Sequence, residues 1–249
     1  MYTLQNTDGK IIMLKNFLFD MDGTLIDCTA EKFIPLYKQA LADKFAANAE
    51  MKKIIETVLI GASAMVANDG SRTNRETFME FARGRLALPP EELEKLMTEF
   101  YADEYAAVKS VIAPKPAMIE AVQTLKAKGY RLVVTTNPLF PAAALVRRLE
   151  WGGYDRADFD FVTSYETSTY AKPSVGYYTE TLKRLDLDPA ETIIVGNDMD
   201  EDVNAGKEAG MQTYWLTDTP IPSKNPTAPD LEGTSDDFLT FAKQIAAVK

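Results

Sequence analysis

Hydrophobic and polar positions divide this chain into two regimes. From Thr29 to Val111, apolar residues recur at helical spacing with no strand between them. Phe33, Leu36, Tyr37, Ala40 and Leu41 share one helical face. Pro35 sits among them, so this helix either starts there or kinks. Met51, Ile54, Ile55, Val58, Leu59 and Ala62 form a second stripe. Thr73-Asn74-Arg75-Glu76 reads as a capping box that opens a third helix, with Phe78, Phe81 and Ala82 buried. Pro89-Pro90 precedes a fourth, carrying Leu93, Leu96, Met97, Phe100 and Tyr101. Together these predict a separate helical unit over residues 29–113, and Ala113-Pro114-Lys115-Pro116 reads as the linker that leaves it.

From Pro116 onward, helix and strand alternate. A helix with Met118, Ala121, Val122 and Leu125 stops at Gly129. Strands are expected at Arg131–Thr135, Phe159–Val162, Thr192–Val195 and Gln212–Leu216, with helices at Pro141–Leu149, Ser174–Leu185 and Asp202–Ala209 between them. Asn16–Phe19 is a further short apolar strand ahead of the helical unit. The alternation predicts an α/β architecture: a doubly wound parallel sheet formed by residues 1–28 and 114–249, with the helical unit inserted. The loop Thr219–Pro229 holds four prolines, and a short amphipathic helix with Phe238, Phe241, Ala242 and Ile245 follows it. Asp8-Gly9, between two apolar stretches, reads as a hairpin turn.

Composition removes several chemistries. The 249 residues contain no histidine, which excludes Ser-His-Asp and Cys-His catalysis and any histidine-ligated metal. The single cysteine, Cys28, permits no intrachain disulfide and reads as a small buried hydrophobe. The formal net charge of −10 repels nucleic acid and anionic membranes. An anionic substrate therefore needs local positive charge from a lysine or a divalent cation. No apolar run is long enough for a bilayer, and Met1–Lys15 lacks a signal-peptide pattern, so the cytoplasm is the expected compartment.

Polar residues capable of chemistry stand just after the expected strands. Asp20 and Asp22, in Asp20-Met21-Asp22-Gly23-Thr24, follow the first strand. Thr136-Asn137 follows the second, and Asn197-Asp198 with Asp202 follows Ile194-Val195-Gly196. Lys172 lies in the loop Ala171-Lys172-Pro173, ahead of a helix. Strand ends of a parallel sheet converge on one crevice. Carboxylates, a lysine and a hydroxyl gathered there suit phosphoryl transfer. Lys172 on its own would be an ordinary solvated lysine. Asp200 and Glu201 read as acidic residues that complement a helix dipole.

In order and spacing, these four stretches resemble the four motifs of the haloacid dehalogenase-like superfamily, in particular its phosphoglycolate phosphatase-like group. The resemblance implies that Asp20 is the nucleophile and forms an aspartyl-phosphate. It makes Asp22 the acid/base. Thr136, Asn137 and Lys172 become contacts to the phosphoryl group. Mg²⁺ would be held by Asp20, the Asp22 carbonyl and an acid of the fourth motif. That motif departs from the common Gly-Asp form, because Asn197 follows Gly196. Asp198 is the favoured ligand, with Asn197 and Asp202 as further candidates. A carboxylate at position 22 marks phosphatases and phosphomutases and argues against carbon–halogen chemistry. The helical unit matches the family's cap, which closes over the site and reads the leaving group, with Phe33 or Tyr37 facing it. The implied activity is hydrolysis of a small phosphomonoester, by a monomer or homodimer. A sugar-phosphate phosphomutase and a catalytically idle metabolite- or partner-binding domain are the alternatives.

Overall fold

The computed structural model describes residues 4–5 and 11–248. Strands β1 (Leu4–Gln5) and β2 (Ile11–Ile12) pair antiparallel, and the Asp8-Gly9 turn expected between them lies outside the described residues. β3 (Asn16–Phe19) is buried along its whole length. After it the chain makes a tight loop at Met21–Leu25 and enters β4 (Ile26–Asp27). Gly23 sits in that loop at φ +77°, a conformation that favours glycine, and a Cβ there would also strike the Asn197 amide.

The inserted unit begins with α1 (Ala30–Phe45) and continues through α2 (Ala49–Val66), α3 (Asn74–Arg83) and α4 (Pro90–Ala102) into a 3₁₀ run at Glu104–Val111. α1 starts at Ala30, so Pro35 lies inside the helix and does not open it. Having no N–H, Pro35 leaves the Glu31 carbonyl without its helical partner in the exposed first turn. The buried face of α1 carries Phe33, Tyr37, Ala40, Leu41 and Phe45, close to the predicted stripe. The Thr73–Glu76 capping box forms as read. Phe81 is only half-buried, with Arg85 stacked on its ring. The stretch read as a linker contains β5 (Ala113–Pro114), which pairs antiparallel with β4. A two-stranded neck therefore joins the helical unit to the rest.

The remaining elements are α5 (Pro116–Ala127), β6 (Arg131–Val134), α6 (Ala142–Trp151), β7 (Phe161–Val162), α7 (Val175–Leu185), β8 (Thr192–Gly196), α8 (Ala205–Glu208), β9 (Gln212–Leu216), β10 (Leu231–Gly233) and α9 (Ser235–Gln244). Six strands form a parallel sheet in the order β10-β9-β8-β3-β6-β7. Alternate residues of β3 face opposite layers. Phe17 and Phe19 pack with Tyr130 and with Phe238 and Phe241 of α9, while Leu18 packs with Tyr177, Tyr178 and Leu182 of α7. Helices thus cover both faces. β7 is shorter than the Phe159–Val162 strand expected, and β10 was not anticipated. The helix expected from Asp202 begins earlier, as a π-helical turn at Met199–Asn204. The chain runs outward from β3 to β6 and β7, then returns to β8 on the other side. The loops after β3, β6 and β8 therefore open on one crevice at this switch point.

Candidate active site

Asp20 directly follows β3 and is anchored there by its backbone N–H, which donates to the Val195 carbonyl at 3.0 Å. Behind it lies Lys172, only 1% exposed. Its Nζ donates to Asp20 Oδ1 at 2.9 Å and to Asp202 Oδ1 at 2.6 Å. Burial opposes the lysine charge, but the carboxylates of Asp20 and Asp202 outweigh it and hold the ammonium well above the ordinary lysine range. Asp202 is equally enclosed. Its Oδ1 also accepts from the Tyr178 hydroxyl at 3.2 Å, and its Oδ2 accepts the Asp198 N–H at 3.0 Å. Residue 196 must be glycine, because a Cβ there would collide with the Asp202 carboxylate. Asp202 is therefore fully engaged in holding Lys172, and Lys172 holds Asp20.

Asp22 turns toward the inserted helices and forms an ion pair with Arg148 of α6. Arg148 is 2% exposed and is stacked over the Phe33 ring of α1, 4.6 Å from its centroid. Its Nη2 also reaches Cys28 Sγ at 3.8 Å, and its Nε is buried without a hydrogen-bond partner. Burial raises the Asp22 carboxyl above the usual aspartate range, with Arg148 pulling in the opposite direction. The side chain keeps 39% of its surface open toward a cavity, so entering water tempers that rise.

Thr136 and Asn137 follow β6 and line the same cavity. The Thr136 carbonyl accepts from the Tyr177 hydroxyl at 2.8 Å and from Thr163 Oγ1 at 3.1 Å, which fixes the strand end. Asn137 donates from Nδ2 to Glu201 at 3.2 Å, and its Oδ1 is buried without a partner. Burial pushes the Glu201 carboxyl up to about 7.

The fourth motif separates into three tasks. Asn197 uses both ends of its amide internally: Oδ1 accepts from Thr24 Oγ1 at 3.2 Å, and Nδ2 donates to the Thr219 carbonyl at 2.7 Å. Asp198 is half-buried and lines the cavity with Asp20 and Asp22. Its Oδ1 accepts the N–H groups of Asp200 and Glu201, so one carboxylate oxygen caps the π-helical turn. Among the described residues no group of three His, Cys, Asp or Glu side chains is drawn together tightly enough to hold a metal by itself. The donors that Asp20, Asp198 and the Asp22 carbonyl offer are all oxygen, and they suit a hard dication such as Mg²⁺.

The structure thus brings Asp20, Asp22, Thr136, Asn137, Asn197 and Asp198 onto one cavity of about 780 Å³, with Lys172 and Asp202 behind Asp20. Two participants were not read from sequence. Arg148 stands within the buried stripe of α6, beside Ala144, Leu145 and Leu149. A cation on an apolar face was the available signal. Glu201, read as helix-dipole charge, lines the cavity instead.

A sequence model of haloacid dehalogenase-like hydrolases matches residues 14–210. The chain belongs to this family. It is 28% identical over 207 residues to an N-acetylmuramic acid 6-phosphate phosphatase of Pseudomonas aeruginosa, a match that covers 82% of each chain. It is 27% identical over 201 residues to a phosphoglycolate phosphatase of Aquifex aeolicus, covering 80% of this chain and 83% of the relative. It is 31% identical over 207 residues to the pyrophosphatase PpaX of Bacillus velezensis, covering 83% of each. Among solved structures, a 2-haloacid dehalogenase from Pseudomonas syringae superposes with a TM-score of 0.62 at 22% identity, over 92% of this chain and 99% of the other. That likeness concerns the fold alone. Among the described residues no helix is long and apolar enough to cross a membrane.

Proposed function

We propose that this hydrolase is a Mg²⁺-dependent phosphatase that cleaves a small phosphomonoester through an aspartyl-phosphate on Asp20. The observation that carries the reading is the pairing of Asp20, held by a buried lysine, with Asp22 at the head of one cavity. Lys172 binds Asp20 Oδ1, which orients the carboxylate and leaves Oδ2 to attack phosphorus. Asp22 gives its proton to the leaving oxygen, and the burial that raises its carboxyl favours the protonated form this step needs. The same carboxylate then takes a proton from the water that cleaves the acyl phosphate. The Thr136 hydroxyl and the Asn137 amide donate to the phosphoryl oxygens. Mg²⁺, held by Asp20, Asp198 and the Asp22 carbonyl, would supply positive charge against those oxygens. The relatives that are phosphatases support this choice over an idle binding domain. The wall formed by Phe33, Val58, Met65 and Phe78 offers a sugar few hydrogen-bond partners, which counts against the phosphomutase alternative. Small phosphorylated metabolites are held in the cytoplasm, the compartment this reading implies. The test is phosphate release from p-nitrophenyl phosphate with Mg²⁺. Release that disappears on chelation is expected, and a protein inert toward every ester would overturn the reading.

A further inference from the structure

The cavity that begins at Asp20 and Asp22 runs deep into the helical unit. Its volume, about 780 Å³, is in the range that holds drug-sized ligands rather than a two-carbon acid. Beyond Asp20 and Asp22 the part of its wall formed by the inserted helices is mainly apolar, although Glu31, Lys38, Asn137, Tyr165 and Glu201 also line the cavity. α1 contributes Phe33 and Tyr37, α2 contributes Val58 and Met65, α3 contributes Phe78, and the loop after β6 contributes Phe140. The phenols of Tyr37 and Tyr101 share one hydrogen bond at 3.0 Å, which occupies one of their two protons. Two cations line the cavity. Arg148 is committed to Asp22, and Lys38 is solvent-exposed. A second anionic group, or a polyol, laid against Phe33, Val58, Met65 and Phe78 would lose its water without gaining partners there. An apolar chain or ring would gain from burial over the same wall.

We propose that the substrate's leaving group is bulky and apolar: a medium-chain alkyl or aromatic alcohol esterified to a single phosphate. This rests on the phosphatase reading and narrows it. It sets the chain apart from relatives named for muramic acid, glycolate and pyrophosphate substrates, whose leaving groups are polar or charged.

The test uses n-alkyl phosphates from ethyl to octyl, below micelle-forming concentration. Leaving-group pKa is nearly constant along this series, so chemistry alone predicts a flat profile. The inference predicts that kcat/KM rises roughly three- to fourfold per methylene over the first several carbons. Phosphoglycolate and pyrophosphate should be poorer substrates than butyl phosphate. Ala62, which also lines the cavity, provides a second arm. Ala62→Phe fills part of the space, and the octyl-to-ethyl ratio should fall at least tenfold. Binding of the non-hydrolysable ethyl- and octylphosphonates, followed by calorimetry with Mg²⁺ present, separates the two readings. Octylphosphonate should bind at least tenfold more tightly. Equal binding of the two phosphonates, or a flat or falling ester series, overturns the inference. A protein that prefers octylphosphonate but hydrolyses no ester supports the apolar site and overturns the phosphatase reading alone.

Discussion

Arg148 holds Asp22 from a helix that lies 126 residues further along the chain. The guanidinium is enclosed between the Phe33 and Phe140 rings, so the Asp22 carboxyl, the acid/base of the proposed mechanism, is oriented by a cation that solvent barely reaches. A buried ion pair is costly to break on one side, because the surviving charge is left unpaired.

Removing that cation should move the acid/base chemistry in pH. Arg148 favours the ionised form of Asp22, so Arg148→Met should raise the carboxyl further. The alkaline limb of kcat against pH, which requires protonated Asp22, should shift to higher pH. kcat itself should fall by roughly tenfold or more as the carboxyl loses its orientation. Arg148→Lys should restore part of the original profile. An unchanged pH profile in Arg148→Met would show that the ion pair serves packing alone.

The two carboxylates should fail in different ways. Asp20→Asn is nearly isosteric and keeps a partner for Lys172, so the protein should fold normally and lose turnover altogether. Asp22→Asn should slow both steps by ~10²-fold or more, with a smaller loss in phosphorylation for esters of acidic alcohols. Single-turnover measurements across leaving groups of graded pKa check this. Equal losses for all of them would remove Asp22 from the acid role.

Metal dependence should distinguish the neighbours Asn197 and Asp198. Activity should vanish with a chelator and return with Mg²⁺, whereas Ca²⁺, with its looser and higher coordination, should support it poorly. Asp198→Asn should raise the Mg²⁺ concentration needed for half-maximal activity at least tenfold. Asn197→Asp should instead act on folding. It sets a carboxylate oxygen against the Thr219 carbonyl in place of an N–H, a loss on the order of 1–3 kcal/mol in denaturant unfolding. A large Mg²⁺ shift in Asn197→Asp with unchanged stability would exchange these assignments.

Glu201 should impose a pH dependence on the stability of metal-free protein. Its carboxyl titrates near 7 when folded, against an ordinary 4.5, so the folded state binds the extra proton between those values. Stability therefore falls as pH rises from about 4.5 to 7, because the folded state must either keep the proton or bury a charge. Glu201→Gln keeps an acceptor for Asn137 and removes the charge. It should be the more stable protein at pH 8, by up to about 3 kcal/mol, and match the parent at pH 4. Parallel unfolding curves at both pH values would contradict this.

The parts legible in the sequence were those encoded locally. Phe17–Phe19 is apolar throughout because both faces of β3 are covered, and the Thr73–Glu76 box lies within a single turn. Lys172 was legible only through its place in the ordered motifs, since nothing nearby marks a lysine whose partners are Asp20 and Asp202. Arg148 is paired with Asp22 only through the fold, so no local sequence feature names its partner. β10 has three residues, only half-buried or exposed, after a proline-rich loop, and it is specified by register against Tyr214, Trp215 and Leu216 rather than by its own pattern. In the fourth motif, composition permitted either Asn197 or Asp198 at the front. Hydrogen bonds to Thr24 and Thr219 commit Asn197 to the scaffold.

The neck that joins the helical unit to the sheet is tied to the loop carrying Asp22. Ile26, a neck residue, accepts the Gly23 N–H at 2.9 Å and donates to the Met21 carbonyl at 3.1 Å, and it forms a bridge with Asp22. The neck and Asp22 thus share one knot of backbone. In the proposed mechanism Asp22 protonates the leaving group, so any displacement of the helices about β4 and β5 would carry the proton donor with it and couple the exclusion of water to the aim of the proton.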